Sequence, residues 1–400
     1  MDTMESLGYK DFEWAIEIHR LGLEFLGLWP KNEVAIKSLW SKLHASIILT
    51  LLIFVSNVPM ISAAMQSWGN MVVVIDILRT ALPLLIVPFK YVIMRGKRTV
   101  LLSIINMMAE DWIAFKLDAE RAVMIKQARV ARLSMIVGYV IIIIPCLTIT
   151  VPTYFGIQVL NLMNVTGRCK LLPLQTYHFY NVDKSPQFEL TFFFHVLTIF
   201  IAGCVYAIVD IFLLLLVLHI CGQLENFRYR LVSLVSCEDF NKALNNIVTS
   251  HLRLIRFINK IENIYYLMML LMVLYLAIII CLNSFLFTIL LHERKVNGAV
   301  VTQILFLMIF LLVTLAGTFL YCVAGELVME QCNALYRALC ELEWYKLESR
   351  KARNLILLMI RAHNPCCITA GKIIPLTLTT FCSILKTSSG YMSFLLTQHG

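Results

Sequence analysis

Seven apolar runs divide this chain, at roughly 43–65, 71–93, 133–160, 189–220, 264–291, 299–324 and 373–397. Each is at least as long as the roughly 20 residues a helix needs to cross a bilayer. The intervening segments are polar and carry most of the charge. The pattern predicts an all-α polytopic membrane protein with seven transmembrane helices.

Helical periodicity does not stop where the runs stop. Leu244, Ile247, His251, Leu254, Ile258 and Ile261 recur at three-and-four spacing and lead into the fifth run. Cys332, Leu335, Leu339 and Leu342 do the same after the sixth. Helices are therefore expected to extend past the membrane. Their apolar stripes pack either within the chain or against another subunit, and spacing leaves both open. Before the first run, Trp14, Ile18, Leu21 and Phe25 share one face of an amphipathic stretch too charged to span, as expected of a helix lying at the interface.

Composition supports the membrane class. Of 400 residues, 60% are hydrophobic and 15% charged, against the roughly 25% charged of a soluble domain. The net charge of +9 is spread over separate loops rather than gathered in one patch, so no nucleic-acid partner is expected. It reads instead as a topology signal. Lys and Arg crowd the N-terminal segment and the loops after the second, fourth and sixth runs. The opposite face holds Arg168, Lys170, Lys184, Arg294 and Lys295. The positive-inside rule then puts the N-terminus in the cytosol and the C-terminus outside. Acids such as Asp2, Glu5 and Asp11 near the start do not fit a cleaved signal peptide. The 12 cysteines are scattered, and Cys169 sits in an outside loop, which argues against a disulfide scaffold. The sequon Asn164-Val165-Thr166 falls in that same loop, making Asn164 the candidate glycosylation site.

Charges inside the runs call for partners. Asp76 and Arg79, three apart in the second run, can pair with each other. Asp210, deep in the fourth, should face protein or water. Lys386, near the middle of the seventh, has no acid within a helical turn and needs water, carbonyls or another helix. That last run is also rich in hydroxyls.

No nucleotide, zinc-protease, serine-hydrolase or paired-cysteine motif is present, so no enzyme, metal or cofactor is expected. The outer halves of the runs look more useful. Thr148, Tyr154 and Phe155 in the third, Phe194, His195 and Thr198 in the fourth, and Gln303 and Phe306 in the sixth lie at a common depth. Aromatics with a few polar groups suit a pocket for a small apolar ligand, although ordinary helix packing would explain any one of them.

Several strings then line up with one family. They are LGLWP (26–30), LPLQTYHFYNVDKSPQFELTF (172–192), HLRLIRFINKIENIYY (251–266), YCVAGE (321–326) and TAGKIIPLTLTTF (369–381). In order and spacing the chain resembles the insect odorant receptors over nearly its whole length. The resemblance implies a subunit of a tetrameric, odorant-gated, non-selective cation channel in the plasma membrane of olfactory neuron dendrites. It further implies assembly with a shared co-receptor, a small volatile ligand, and contact with membrane lipid. The chain lacks the long cytosolic insertion after the fourth run that marks the co-receptor, so it resembles a ligand-tuning subunit. Four regions follow: a cytosolic segment (1–42), six spans whose outer halves bind ligand (43–324), a cytosolic anchor (325–372), and the pore-lining last span with a short extracellular end (373–400). By the family's register, Lys386, Tyr391, Phe394, Thr397 and Gln398 line the pore. Ser389, Gly390 and Met392 depart from its usual pattern. Gustatory-type receptors end in a different motif that is absent here. G-protein-coupled receptors have the opposite topology, and transporters show paired repeats not seen in this chain.

Overall fold

A glycine ends the first helix. α1 (Asp2–Phe25) closes with Gly27 at φ +64°, the Leu28 amide bonding the Leu23 carbonyl and the Gly27 amide the Glu24 carbonyl. This is a left-handed helix stop, which glycine adopts at no steric cost. A Cβ there would strike the His44 ring. The loop's carbonyls are then captured: Tyr91 donates to Leu26, and Arg98 to Gly27 and Leu28. LGLWP is thus the clamp between the N-terminal helix and the bundle.

The computed structural model describes residues 2–30, 39–114, 117–156, 171–180, 182–232, 234, 239–292 and 298–399. Asn164 lies outside them. The bundle follows the predicted order. After α1 come α2 (Leu39–Gln66), α3 (Met71–Gly96), α4 (Arg98–Ile113), α5 (Asp118–Tyr154), α6 (Gln187–Val232), α7 (Phe240–His292) and α8 (Gly298–Glu341). Then follow α9 (Ser349–His363), a two-residue hairpin of β1 (Thr369–Ala370) and β2 (Ile374–Pro375), and α10 (Leu378–His399). Among the described residues, α2, α3, α5, α6, α7 and α8 are long and apolar enough to cross a membrane. α10 is the seventh span, its hydropathy diluted by hydroxyls and Lys386.

α6 is the central post. It is apolar right round and buried along most of its length, with α5, α7 and α8 against it. The cytosolic extensions are real: α7 runs 53 residues and α8 44, far beyond a span. Leu244, Ile247, His251, Leu254, Ile258 and Ile261 are all buried, as are Cys332, Leu335, Leu339 and Leu342. Both stripes therefore pack within the chain. α1 buries Phe12, Ile16, His19 and Leu23 and leaves Trp14, Leu21 and Phe25 exposed, the arrangement of a helix half sunk in an interface.

Two boundaries differ from the sequence reading. The third span ends at Tyr154, with Gly156 at φ +79° turning the chain, rather than at 160. The last span begins at Leu378 rather than 373. Gly371 and Lys372 both have positive φ, the geometry that closes a two-stranded turn. Apolar content alone cannot show that Ile373 to Pro375 are hairpin rather than helix.

Candidate functional site

A cavity of about 240 Å³ lies between five helices. Pro83, Leu84 and Val87 come from α3, and Ile141, Ile142, Pro145, Cys146 and Ile149 from α5. α6 gives Ile199, Ala202, Gly203, Tyr206 and Ala207. α7 gives Tyr275, and α8 gives Phe310, Val313 and Thr314. Pro83 lies about 18 Å below the outer end of α3, counting 1.5 Å per residue, so the cavity reaches toward mid-membrane. Its wall is nearly all apolar and holds no charged side chain. The helices leave room here because Gly203, Ala202 and Ala207 put small residues on α6 where its neighbours carry larger ones.

The polar groups at the cavity are few. Tyr206 donates to the Met272 sulfur at 3.5 Å. The Thr314 hydroxyl donates to the Phe310 carbonyl at 3.0 Å and meets the Tyr275 hydroxyl at 3.4 Å.

One turn deeper, on the same faces, is a buried ionic cluster. Lys90 Nζ lies 2.8 Å from both carboxylate oxygens of Asp210, and Tyr321 donates to the same carboxylate. The ammonium sits 3.8 Å from the centre of the Tyr206 ring. Lys90 is fully buried and Asp210 nearly so. An ion pair in so dry a place survives only with close geometry and added hydrogen bonds, and both are present. The cluster ties α3, α6 and α8 together directly under the cavity. Nearer the outer surface, Arg79 and Asp76 pair at 2.8 Å, as their spacing predicted. Arg79 also stands over the Phe306 and Phe310 rings, at 5.8 and 5.7 Å from their centres.

Below the cluster, α8 reaches the last helix. A Cβ on Gly325 would collide with the Leu376 carbonyl, so only glycine allows this approach. Glu326 accepts from the Leu378 amide at 3.1 Å, and Thr377 accepts from the Thr380 amide at 3.1 Å. Both satisfy amides exposed at the start of α10. The hairpin before it rests on α7, where Gly371 donates to the Tyr266 carbonyl and Thr369 to Glu262. The strings YCVAGE, ENIYY and TAGKIIP are therefore the parts of one joint.

On α10, Thr379, Ser383, Lys386 and Gly390 repeat at four-three-four spacing and are all exposed. Phe381 and Ile384 face the core instead. The hydroxyls of Ser383 and Thr387 donate to carbonyls four residues back, which satisfies their protons locally and leaves their lone pairs outward. Tyr391, Phe394, Thr397 and Gln398 fall in the last turns of the helix.

The eight expected ligand residues scatter. Phe194 and His195 border a second hollow of about 330 Å³, beneath the outer segment that carries His178 and Tyr180. The His178 and His195 rings stack at 5.8 Å. Tyr154 and Phe155 are exposed and make edge contacts with each other. Thr148 is exposed and donates to the Ile144 and Pro145 carbonyls. Thr198 is buried and donates to Phe194, while Gln303 and Phe306 are half-buried on α8. None of the eight lines the 240 Å³ cavity. Sequence reasoning did not single out Lys90, Tyr206 or Tyr275, and took Tyr321 only as the start of YCVAGE. The available signal was the unpaired Asp210, which required a basic partner at similar depth on another span.

Comparison with known proteins agrees with this architecture. A family model described as 7tm Odorant receptor matches residues 70–389. Odorant receptor 10 of Aedes albopictus is 24% identical over 218 residues, covering 53% of this chain and 56% of that protein. Odorant receptor 22c of Drosophila melanogaster is 25% identical over 206 residues, covering 48% and 49%. The chain thus matches about half the length of these two relatives. In fold it is similar to the insect olfactory receptor OR5 from Machilis hrabei, with TM-score 0.80 at 16% identity over 96% of this chain and 97% of that one. The same receptor in complex with eugenol gives TM-score 0.78 at 17% identity, covering 97% and 98%. With its seven-helix order, its inner cavity and a family match across most of its length, the chain belongs to the 7tm odorant receptor family.

Proposed function

We propose that the chain is the ligand-tuning subunit of an odorant-gated cation channel. It binds small volatile molecules in the cavity between α3, α5, α6, α7 and α8, and contributes α10 to a pore shared with other subunits. The observation that carries this reading is the apolar, uncharged cavity placed directly above the Lys90–Asp210–Tyr321 cluster. A ligand that moves Tyr206 moves the residue against which Lys90 packs. That displacement reaches α8 through Tyr321, and α10 through Gly325 and Glu326. Ligand contact is assigned to the cavity lining, and the hollow at Phe194 and His195 to the approach from outside.

The pore role rests on the exposed stripe of α10. A mid-span lysine facing lipid is costly, whereas a water-filled axis accommodates it. Lys386, Tyr391, Phe394, Thr397 and Gln398 are the proposed lining, with a co-receptor completing a hetero-tetramer in the dendritic plasma membrane. The positive-inside charge pattern then puts the far end of α10 outside.

The test is whole-cell current in cells expressing this chain with a co-receptor. A cation current evoked by some members of a broad volatile panel, and absent from cells holding the co-receptor alone, is expected. Surface-labelled protein that adds no odorant response overturns the reading.

A further inference from the structure

We propose that the cavity selects neutral molecules with an apolar body and one oxygen that accepts a hydrogen bond, such as ketones, esters, aldehydes or ethers, over hydrocarbons, amines and acids of the same size. This inference rests on the odorant-binding reading above and deepens it.

Charge is excluded first. No lining residue is charged, so a carboxylate or ammonium brought into this space would lose its water with no counter-ion to meet it. Cations are disfavoured a second time. Of the three aromatic rings at the cavity, Tyr206 and Phe310 each already hold a cation, Lys90 at 3.8 Å and Arg79 at 5.7 Å from the ring centre, which leaves the Tyr275 ring. At the first two, a cationic ligand would compete for π density already engaged.

Among neutral ligands, the phenols decide. The Tyr206 proton goes to a thioether, a weak acceptor, at 3.5 Å. The Thr314 proton is committed to the Phe310 carbonyl, so in the 3.4 Å contact Tyr275 is the donor, across a long bond. Two phenolic donors, Tyr275 buried and Tyr206 half-buried, thus stand at one cavity with poor partners. A ligand oxygen offers either of them a better acceptor. A hydrocarbon of equal shape leaves both as they are, and gains only apolar burial.

The two phenols sit on different helices, Tyr206 on α6 and Tyr275 on α7. A ligand oxygen taken by Tyr206 draws its hydroxyl from Met272 of α7, and one taken by Tyr275 draws its hydroxyl from Thr314 of α8. Oxygenated ligands thereby engage contacts between helices that hydrocarbons do not disturb.

The experiment compares an eight-carbon series (octane, 2-octanone, hexyl acetate, octylamine and octanoate) as agonists of the full chain with a co-receptor. Tyr206→Phe and Tyr275→Phe are run alongside, with surface labelling. The ketone or ester is expected to act at concentrations about tenfold below the alkane, with amine and acid weakest. At least one Tyr→Phe variant is expected to weaken the oxygenated ligands about fivefold relative to octane. Octane or octylamine matching the ketone in the unmodified chain overturns the proposal. So does a preference for oxygen that survives both substitutions. If a variant fails to reach the surface, the ranking in the unmodified chain and the other variant still decide. Silence toward the whole series and a broad volatile panel, with protein at the surface, overturns the underlying odorant reading instead.

Discussion

α6 and α10 both cross the membrane, and almost nothing else about them is alike. α6 is enclosed by its own chain and pairs its one deep acid, Asp210, with Lys90 and Tyr321. On α10, no side chain from Leu378 to Gly390 is buried, and its lysine is exposed. A helix that is apolar all round belongs at a bundle's centre. A helix carrying a polar stripe along its open side is made to meet something outside its own subunit. The difference separates a post that holds the fold from a helix whose environment is completed by assembly and water.

Breaking the post should cost most. Asp210→Asn strands the Lys90 ammonium in a dry site, and removing one partner of a buried pair costs about 3–5 kcal/mol. Thermal unfolding of detergent-purified protein is expected to show a large drop, with less protein at the cell surface. Lys90→Met combined with Asp210→Leu should recover much of it, since an apolar pair leaves no orphan charge. A small loss in the single variant would mean the cluster is not what fixes α6.

The junction between the two helices comes next. Gly325→Ala drives a methyl into the Leu376 carbonyl, an overpacking expected to cost about 1–3 kcal/mol. Because the displaced atom lies just before α10, odorant-evoked current should fall more than the amount of surface protein. Equal falls in both would make the contact structural only.

A third probe uses pH on the cytosolic side of α6. His19 of α1 is buried beside Phe212, 6.4 Å between ring centres, with no hydrogen-bond partner for either nitrogen among the described residues. Burial, helped by nearby Arg132, pushes its pKa down to about 3. Protonation therefore favours the unfolded chain. The stability is fully present above the unfolded value of about 6.5 and is lost as pH falls from there toward 3. Between pH 7.5 and 5.5 this one residue should remove about 1 kcal/mol. His251, also lowered by burial and by Arg361, adds loss in the same direction. His19→Leu should flatten the unfolding temperature across that interval. An unchanged pH dependence in the variant would place the sensitivity elsewhere.

The smallest effect is expected on α10 itself. Thr377→Ala removes the hydroxyl that accepts from the Thr380 amide, worth about 1 kcal/mol at a helix start. Glu326 still holds the Leu378 amide, so unfolding should shift only slightly while the ligand concentration for half-maximal current moves.

Much of this architecture could be read from the chain. The seven spans, the extended α7 and α8, and the Asp76–Arg79 pair all follow from local spacing. So does the expectation that Asp210 faces protein or water rather than lipid. What could not be read depends on which faces meet across the bundle. Lys90 and Asp210 are 120 residues apart, and no periodicity within either helix aligns them. The cavity exists because small residues on α6 oppose prolines on α3 and α5, a gap rather than a motif. Depth alone therefore gathered Thr148, Tyr154 and Gln303, while Tyr206 and Tyr275, farther in, went unnoticed. The hairpin before α10 was hidden for another reason. Ile373, Ile374 and Leu376 are as apolar as any span, and only the positive φ of Gly371 and Lys372 separates them from it.

The contrast between the two helices is tested most directly by thiol accessibility on α10. Ser383→Cys and Ile384→Cys, each in a Cys382→Ser background and expressed with a co-receptor, would be exposed to a charged, membrane-impermeant thiol reagent while odorant-evoked current is recorded. Rapid loss of current in Ser383→Cys, with Ile384→Cys unaffected, is the expected result. Equal modification of the two, or none at Ser383→Cys despite robust current, would contradict a water-filled axis along the exposed face of α10.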